Sequence, residues 1–422
     1  MTATAPPETP TPPARGRLAR LLPPPGPGRM LVICSAVASV GNGLYLSGSA
    51  IYFIREVGLS SWQVGLGLSL VGLISLPINV PLGYLADRFG PREVTILTTL
   101  TKVVALIAAM FVANFPMYLL VVGVLGVADS GGQVARGALI SGLMGREGRV
   151  ALSAYLRSVF NAGFTLGVLG AGIVIAFDTR PAYLSLMLGN AAAMVLAAIL
   201  YLRLPRVPGT RGEKKREGGG WLALRDWPYL AVAQVAGIAR LGPTLAAVGL
   251  PVWLVTRTDA PRALAAWLYA INTLMVVLLQ VRAARGADTV PGAARLQRWT
   301  FLGLAGACVV TGLASGAPPL LATAIMVVGM VVFTLGEIWG EGARWGLRYE
   351  LAPDHAQGQY GGMFSTGDAL AAIAGPTLVT VLPERFGLAG WIALAVIFLA
   401  GLAASGPVIR WAERTRPRFV TA

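Results

Sequence analysis

Metal ligands and nucleophile partners are nearly missing from this chain, which has one histidine, His355, and two cysteines, Cys34 and Cys308, among 422 residues. Both cysteines fall inside apolar stretches, where a thiol behaves as a small hydrophobe, so no disulfide framework is implied. His355 sits in a polar loop without a neighbouring nucleophile, and no catalytic or metal-binding constellation gathers around it. No Gly-x-x-x-x-Gly-Lys-Ser/Thr phosphate loop occurs. The reading is a protein that is not an enzyme and uses no cofactor and no metal.

Charge is the next scarcity. Only 13% of the residues are charged against 55% hydrophobic, and none is charged from Val57 to Ala86. A hydrocarbon core about 30 Å thick is crossed by roughly 20 apolar helical residues, and several runs reach that length. The chain is therefore expected to be an all-α polytopic membrane protein. Its net charge of +15 does not mark a nucleic-acid binder. Lys and Arg collect between alternate pairs of spans, as cytoplasmic loops require.

Apolar length, punctuated by Gly, Pro and charge, predicts helices near 30–55, 61–87, 93–114, 116–144, 149–177 and 181–203. A second six follow near 227–256, 261–283, 294–315, 318–350, 359–381 and 388–411. The expected organisation is a disordered cytoplasmic tail at 1–28, holding nine of the 28 prolines, and a six-helix bundle at 29–204. A cytoplasmic linker at 205–226, a second six-helix bundle at 227–411 and a cytoplasmic tail at 412–422 complete it. The linker contains RVPGTRGEKKREGGG, and the outer loops keep only Arg55, Arg180, Arg257, Arg262 and Arg385. That asymmetry places both termini inside a cytoplasmic membrane.

The two bundles align with each other. A shift of 208 positions lays Asp129, Gln133, Ala135, Arg136 and Gly167 on Glu337, Glu341, Ala343, Arg344 and Gly375 without a gap. Parallel repeats of this kind place a substrate between the halves near the midplane.

The stretch VPLGYLADRFGPREV ends the charge-free run with the pattern Gly, three residues, Asp, Arg, any, Gly, any, Arg, filled by Gly83, Asp87, Arg88, Gly90 and Arg92. It resembles the loop signature of the major facilitator superfamily. The resemblance implies twelve transmembrane helices in two pseudo-symmetric bundles, and a cytoplasmic latch at these five residues. FTLGEIWGEGARWGL, LAPDHAQGQYGGMFS and ALSAYLRSVFNAGFTLG look like the bacterial drug/proton antiporter branch. The chain departs from that branch in helix 5, where Val168 follows Gly167 without a proline, and in helix 4, where Ser130 stands in place of an arginine.

Nine ionisable side chains lie within the expected spans: Lys102, Asp129, Arg136, Arg157, Arg240, Glu337, Glu341, Arg344 and Asp368. Each costs about 2.5–3.5 kcal/mol at the centre of a membrane helix unless it pairs or works. Glu337, Glu341 and Asp129 are the candidate proton carriers. Arg240 is expected to face Glu337 or Glu341; the alternative to proton carriage is a static network that holds the bundle, with Arg240 permanently paired to Glu341 and Arg344 to Asp368. Arg157 is expected to organise the inner ends of helices 4 and 5, and Lys102 to snorkel to the inner surface. Asn42, Tyr45, Gln133, Arg136, Arg240, Trp339 and Arg344 are candidate cavity residues. Tyr52 and Trp253, near the outer ends, read as interfacial belt residues.

The leading expectation is a secondary transporter that exports a small amphipathic compound in exchange for protons, with the lipid bilayer as its surroundings. A facilitator or proton symporter importing a metabolite, and a receptor or scaffold that does not transport, remain open.

Overall fold

A computed structural model describes residues 25–209 and 222–417. Among them are twelve long helices and no strand. In the first half α1 is Pro27–Arg55, α2 Ser61–Phe89, α3 Pro91–Ala109, α4 Phe115–Leu143, α5 Arg146–Ile175 and α6 Arg180–Leu202. In the second, α7 is Trp227–Arg257, α8 Leu264–Ala283, α9 Val290–Gly312, α10 Pro319–Leu351, α11 Gln357–Phe386 and α12 Leu388–Thr415. Residues 1–24, 210–221 and 418–422 of the expected tails and linker lie outside the described residues.

Local chemistry sets many of the starts. Asn114, Thr179, Asp226 and Thr289 each accept a hydrogen bond from the backbone N–H three residues on, and each is followed two residues later by proline. The cap satisfies one orphan donor, and the proline sits where no N–H is needed. Between α2 and α3, Gly90 takes φ 101°, a conformation open to glycine, and Pro91 starts the next helix.

Ten of the twelve helices are long and apolar enough to cross a membrane on their own. The other two are α3, with Arg92, Glu93 and Lys102, and α9, with Arg295 and Arg298. Both lie along more apolar partners, α3 on α4 and α6, α9 on α10 and α12. Exposed Leu97, Leu100, Val104 and Ile107 give α3 an apolar outer face suited to lipid.

The second half has the larger aromatic core. Trp253 is 1% exposed, donates through Nε1 to the Thr311 carbonyl at 3.1 Å and meets Trp391 edge-on at 5.6 Å. The belt reading of Trp253 is thus corrected to a core residue. Tyr52, equally buried, is corrected in the same way, because its hydroxyl donates to the Met110 carbonyl inside the first half. A hydrogen-bond partner within the bundle outweighs an interfacial position for both rings.

Helix α7 is irregular. Its regular turns stop at Ile238, resume at Leu241–Thr244, pass through a π-turn at Leu245–Gly249 and end in Leu250–Arg257. Pro243 and Pro251 explain the breaks, since each lacks the N–H that an α-helix would send four residues back. Arg240 is left at the first break.

All described helix ends alternate between two sides. The near end carries the start of α1, the end of α6, the start of α7 and the end of α12; the far end lies opposite. Helix α2 packs along α11, α5 along α8 and α10, and α4 against α11, joining the halves.

Candidate transport site

The near end is closed by direct bonds between halves. Both Asp87 oxygens, from α2, accept the first backbone N–H groups of α11, Gly358 at 2.7 Å and Gln359 at 2.8 Å. A carboxylate there satisfies orphan donors and meets the positive end of the helix dipole. Close approach needs glycine on both sides, because a Cβ on Gly83 would strike the Gly358 backbone. The remaining motif residues act within their own half. Arg92 is buried and donates to the Tyr201 and Leu202 carbonyls at the end of α6, while Arg88 is exposed over the Phe89 ring.

A second closure was absent from the sequence reading. Arg146 and Arg149, at the start of α5, donate to Asp354, just before α11, at 3.0 and 3.1 Å. Residues 146 and 354 differ by the 208 positions of the repeat, so equivalent points of the two halves meet here. The hydrogen bond and charge of Asp354 hold the Arg146 guanidinium above its ordinary pKa. Asp354 is half exposed, so the closure is worth up to about 1 kcal/mol per pair. Asp354→Asn removes both pairs and is expected to raise the near-open population about two- to thirtyfold, measured by cysteine cross-linking across the seam. Added salt should mimic the substitution.

At mid-depth a six-membered ionic cluster spans the halves. Arg157 of α5 donates to Glu337 of α10 at 2.9 Å and lies 3.4 Å from Glu341. Arg240, from the break in α7, reaches Glu341 at 2.5 Å and Asp368 at 3.7 Å. Arg344 bonds Asp368, lies 3.8 Å from Glu341 and rests over the Phe364 ring. Three guanidiniums thus face three carboxylates. Glu337 and Glu341 are 9% and 7% exposed. The second Glu337 oxygen accepts from the Asn272 amide of α8 at 2.8 Å. Asn272 has no signal in the sequence beyond a polar amide within an apolar helix.

Arg240 meets Glu341, one of the two glutamates expected for it, and Arg344 meets Asp368, the pairing named in the static alternative. Arg157 is corrected, because it crosses to the opposite half instead of organising the inner ends of helices 4 and 5. Lys102 is corrected as well. Its ammonium stays inside the first half, donating to Asp129 of α4 at 2.6 Å and Asn42 of α1 at 2.7 Å. An available carboxylate within reach is a better partner than the distant surface.

Asp129 keeps half of its side chain exposed at mid-depth. Gln133, one turn nearer the near end, is also exposed, and Tyr45 is half-buried on α1. Arg136 lies toward Gly132, Thr98 and Tyr201, on the α3 and α6 side of α4. Trp339 leans on Trp299 of α9 at 6.2 Å. At the far end the bonds stay within a half, Arg55 to Asp178 and Arg257 to the Glu384 carbonyl.

Two six-helix bundles joined by a charged seam, with ionisable groups held at mid-depth, define a membrane carrier. The chain belongs to the Major Facilitator Superfamily, whose sequence profile matches residues 31–376. It is 26% identical over 381 residues to the multidrug resistance protein MdtH of Klebsiella pneumoniae (strain 342), covering 88% of this chain and 86% of that one. It is 27% identical to MdtH of Cronobacter sakazakii (strain ATCC BAA-894) over 369 residues, 86% of this chain and 84% of that one. The fold is similar to the crystal structure of a bacterial homologue of the iron transporter ferroportin in an outward-facing state. There the TM-score is 0.73 at 14% identity, over 92% of this chain and all of the other. This protein is a multi-pass membrane transporter.

Proposed function

We propose that the chain is a proton-coupled exporter of a small amphipathic compound, working by alternating access with its near end in the cytoplasm. One observation carries the reading: Arg157 of the first half holds Glu337 of the second at mid-depth. Opening the near end draws α5 away from α10. Glu341 then keeps Arg240 and Arg344, which belong to its own half, whereas Glu337 keeps only the Asn272 amide. Stranding a buried carboxylate without its partner costs about 3–5 kcal/mol, and a proton removes that cost.

Protonation of Glu337 from the far side therefore releases Arg157 and lets the near end open. Loss of the proton to the near side restores the ion pair and draws the near end shut. A substrate carried on the closing stroke travels against the proton. The multidrug relatives and the basic near end support export in this sense.

Vesicles reconstituted with the protein and loaded with a lipophilic dye test the reading. An imposed proton gradient is expected to drive the dye opposite to the protons, and a protonophore to abolish the drive. Flux indifferent to the gradient overturns coupling, and dye moving with the protons overturns export.

A further inference from the structure

The repeat sets Asp129 and Glu337 at equivalent positions, each fourteen residues before its helix ends at Leu143 and Leu351 (143 − 129 and 351 − 337). Their partners differ in kind. Glu337 takes its cation from the opposite half, through Arg157. Asp129 takes its own from the same half, through Lys102. The cause lies in the peripheral helices, since α3 carries Lys102 whereas α9 has no charged residue beyond Arg298.

A rocking motion that separates the halves breaks Arg157 from Glu337 and leaves Lys102 with Asp129, because α1, α3 and α4 move as one bundle. The groups facing Asp129 are Lys102 from α3, whose ammonium also donates to Asn42 of α1, and Tyr45 from α1, and Lys102 is its only ion-pair partner among the described residues. Glu337 is faced by Arg157 and Asn272, whose amide also donates to Thr334, with Arg240 beyond.

We infer that Lys102 sets the number of protons moved per cycle at one, by serving as the permanent counter-ion of Asp129. Without that ammonium, Asp129 is a second carboxylate at mid-depth with no cation to hold its charge. It then accepts a proton at its free oxygen from the far side and yields it on the near side, as Glu337 does. Lys102 is a positioning residue, acting through Asp129 and not on the substrate. The inference rests on the proposal that Glu337 carries the coupling proton.

The test uses the full-length protein in vesicles, with the membrane potential clamped and a lipophilic dye as probe, reading equilibrium accumulation against the pH difference. The native protein is expected to give about tenfold per pH unit, the signature of one proton, and Lys102→Met about a hundredfold, that of two. Lys102→Arg should keep the native slope, and Lys102→Met combined with Asp129→Asn should restore it. Should Lys102→Met not fold, Lys102→Gln, which removes the charge and keeps a hydrogen-bond donor toward Asp129, is read in its place with the same expected slope. A native slope of two protons, or a two-proton slope in the paired variant, overturns the inference. A functional Lys102→Met with the native slope does so too. A native slope of zero instead removes the coupling at Glu337 on which it stands.

Discussion

Glu337→Gln is expected to abolish gradient-driven transport, lowering accumulation at least tenfold, while exchange of labelled for unlabelled substrate without a gradient persists. The amide keeps the shape and the Asn272 contact but remains neutral at every pH, so Arg157 loses its charged partner in both states. Removing one member of a buried pair costs about 3–5 kcal/mol. The near-closed state is then disfavoured, and the variant should populate the near-open form. Glu341→Gln makes the control, because that carboxylate meets three guanidiniums, two of them from its own half. Its loss should damage assembly more than coupling. A Glu337→Gln protein with native gradient response would end the assignment.

The second large effect is steric. Gly83→Leu adds a branched side chain where even a Cβ meets the Gly358 backbone, and Gly358 has the same relation to the Gly83 carbonyl and the Asp87 carboxylate. Backbone on both sides leaves no flexible group to yield. Overpacking of this kind costs about 1–3 kcal/mol, which corresponds to roughly a 5- to 150-fold shift toward the near-open state. A thiol probe applied from the near side should label a cysteine placed at Asn79, which lies in this seam against Gly362, only in the variant. Labelling equal to the parent would show that α2 and α11 do not close against each other.

The fold was readable because its signals are local. Length and hydropathy placed every long helix within a few residues, and the cap-x-Pro starts at Asn114, Thr179, Asp226 and Thr289 explain several boundaries. The interruption of α7 at Arg240 was missed, since Pro243 and Pro251 lie in an otherwise unbroken apolar run. At mid-depth the sequence supplied the residues but few partners. Rise per residue gives the depth of a charge, not the side of the helix it occupies. Lys102 and Arg157 read as serving the inner ends, and both stay at mid-depth, because carboxylates 27 and 180 residues away hold them there. The pairing of Arg344 with Asp368, legible in the static alternative, joins consecutive helices of one bundle. The closure by Asp354 had no motif to announce it; the 208-residue repeat contained it as two equivalent points that meet on the axis between the halves.

The weak apolarity of α3 and α9 also bears on how the chain is made. A segment too polar to leave the translocon alone enters lipid only when a stronger neighbour accompanies it, and each of these two is followed directly by one, α4 and α10. Synthesis halted after Met110 is therefore expected to strand α3 at the aqueous surface, and extension through Leu143 to draw both helices in as a hairpin, visible as loss of protease cleavage within α3. Lys102 would then meet Asp129 during insertion, before the second half of the protein exists.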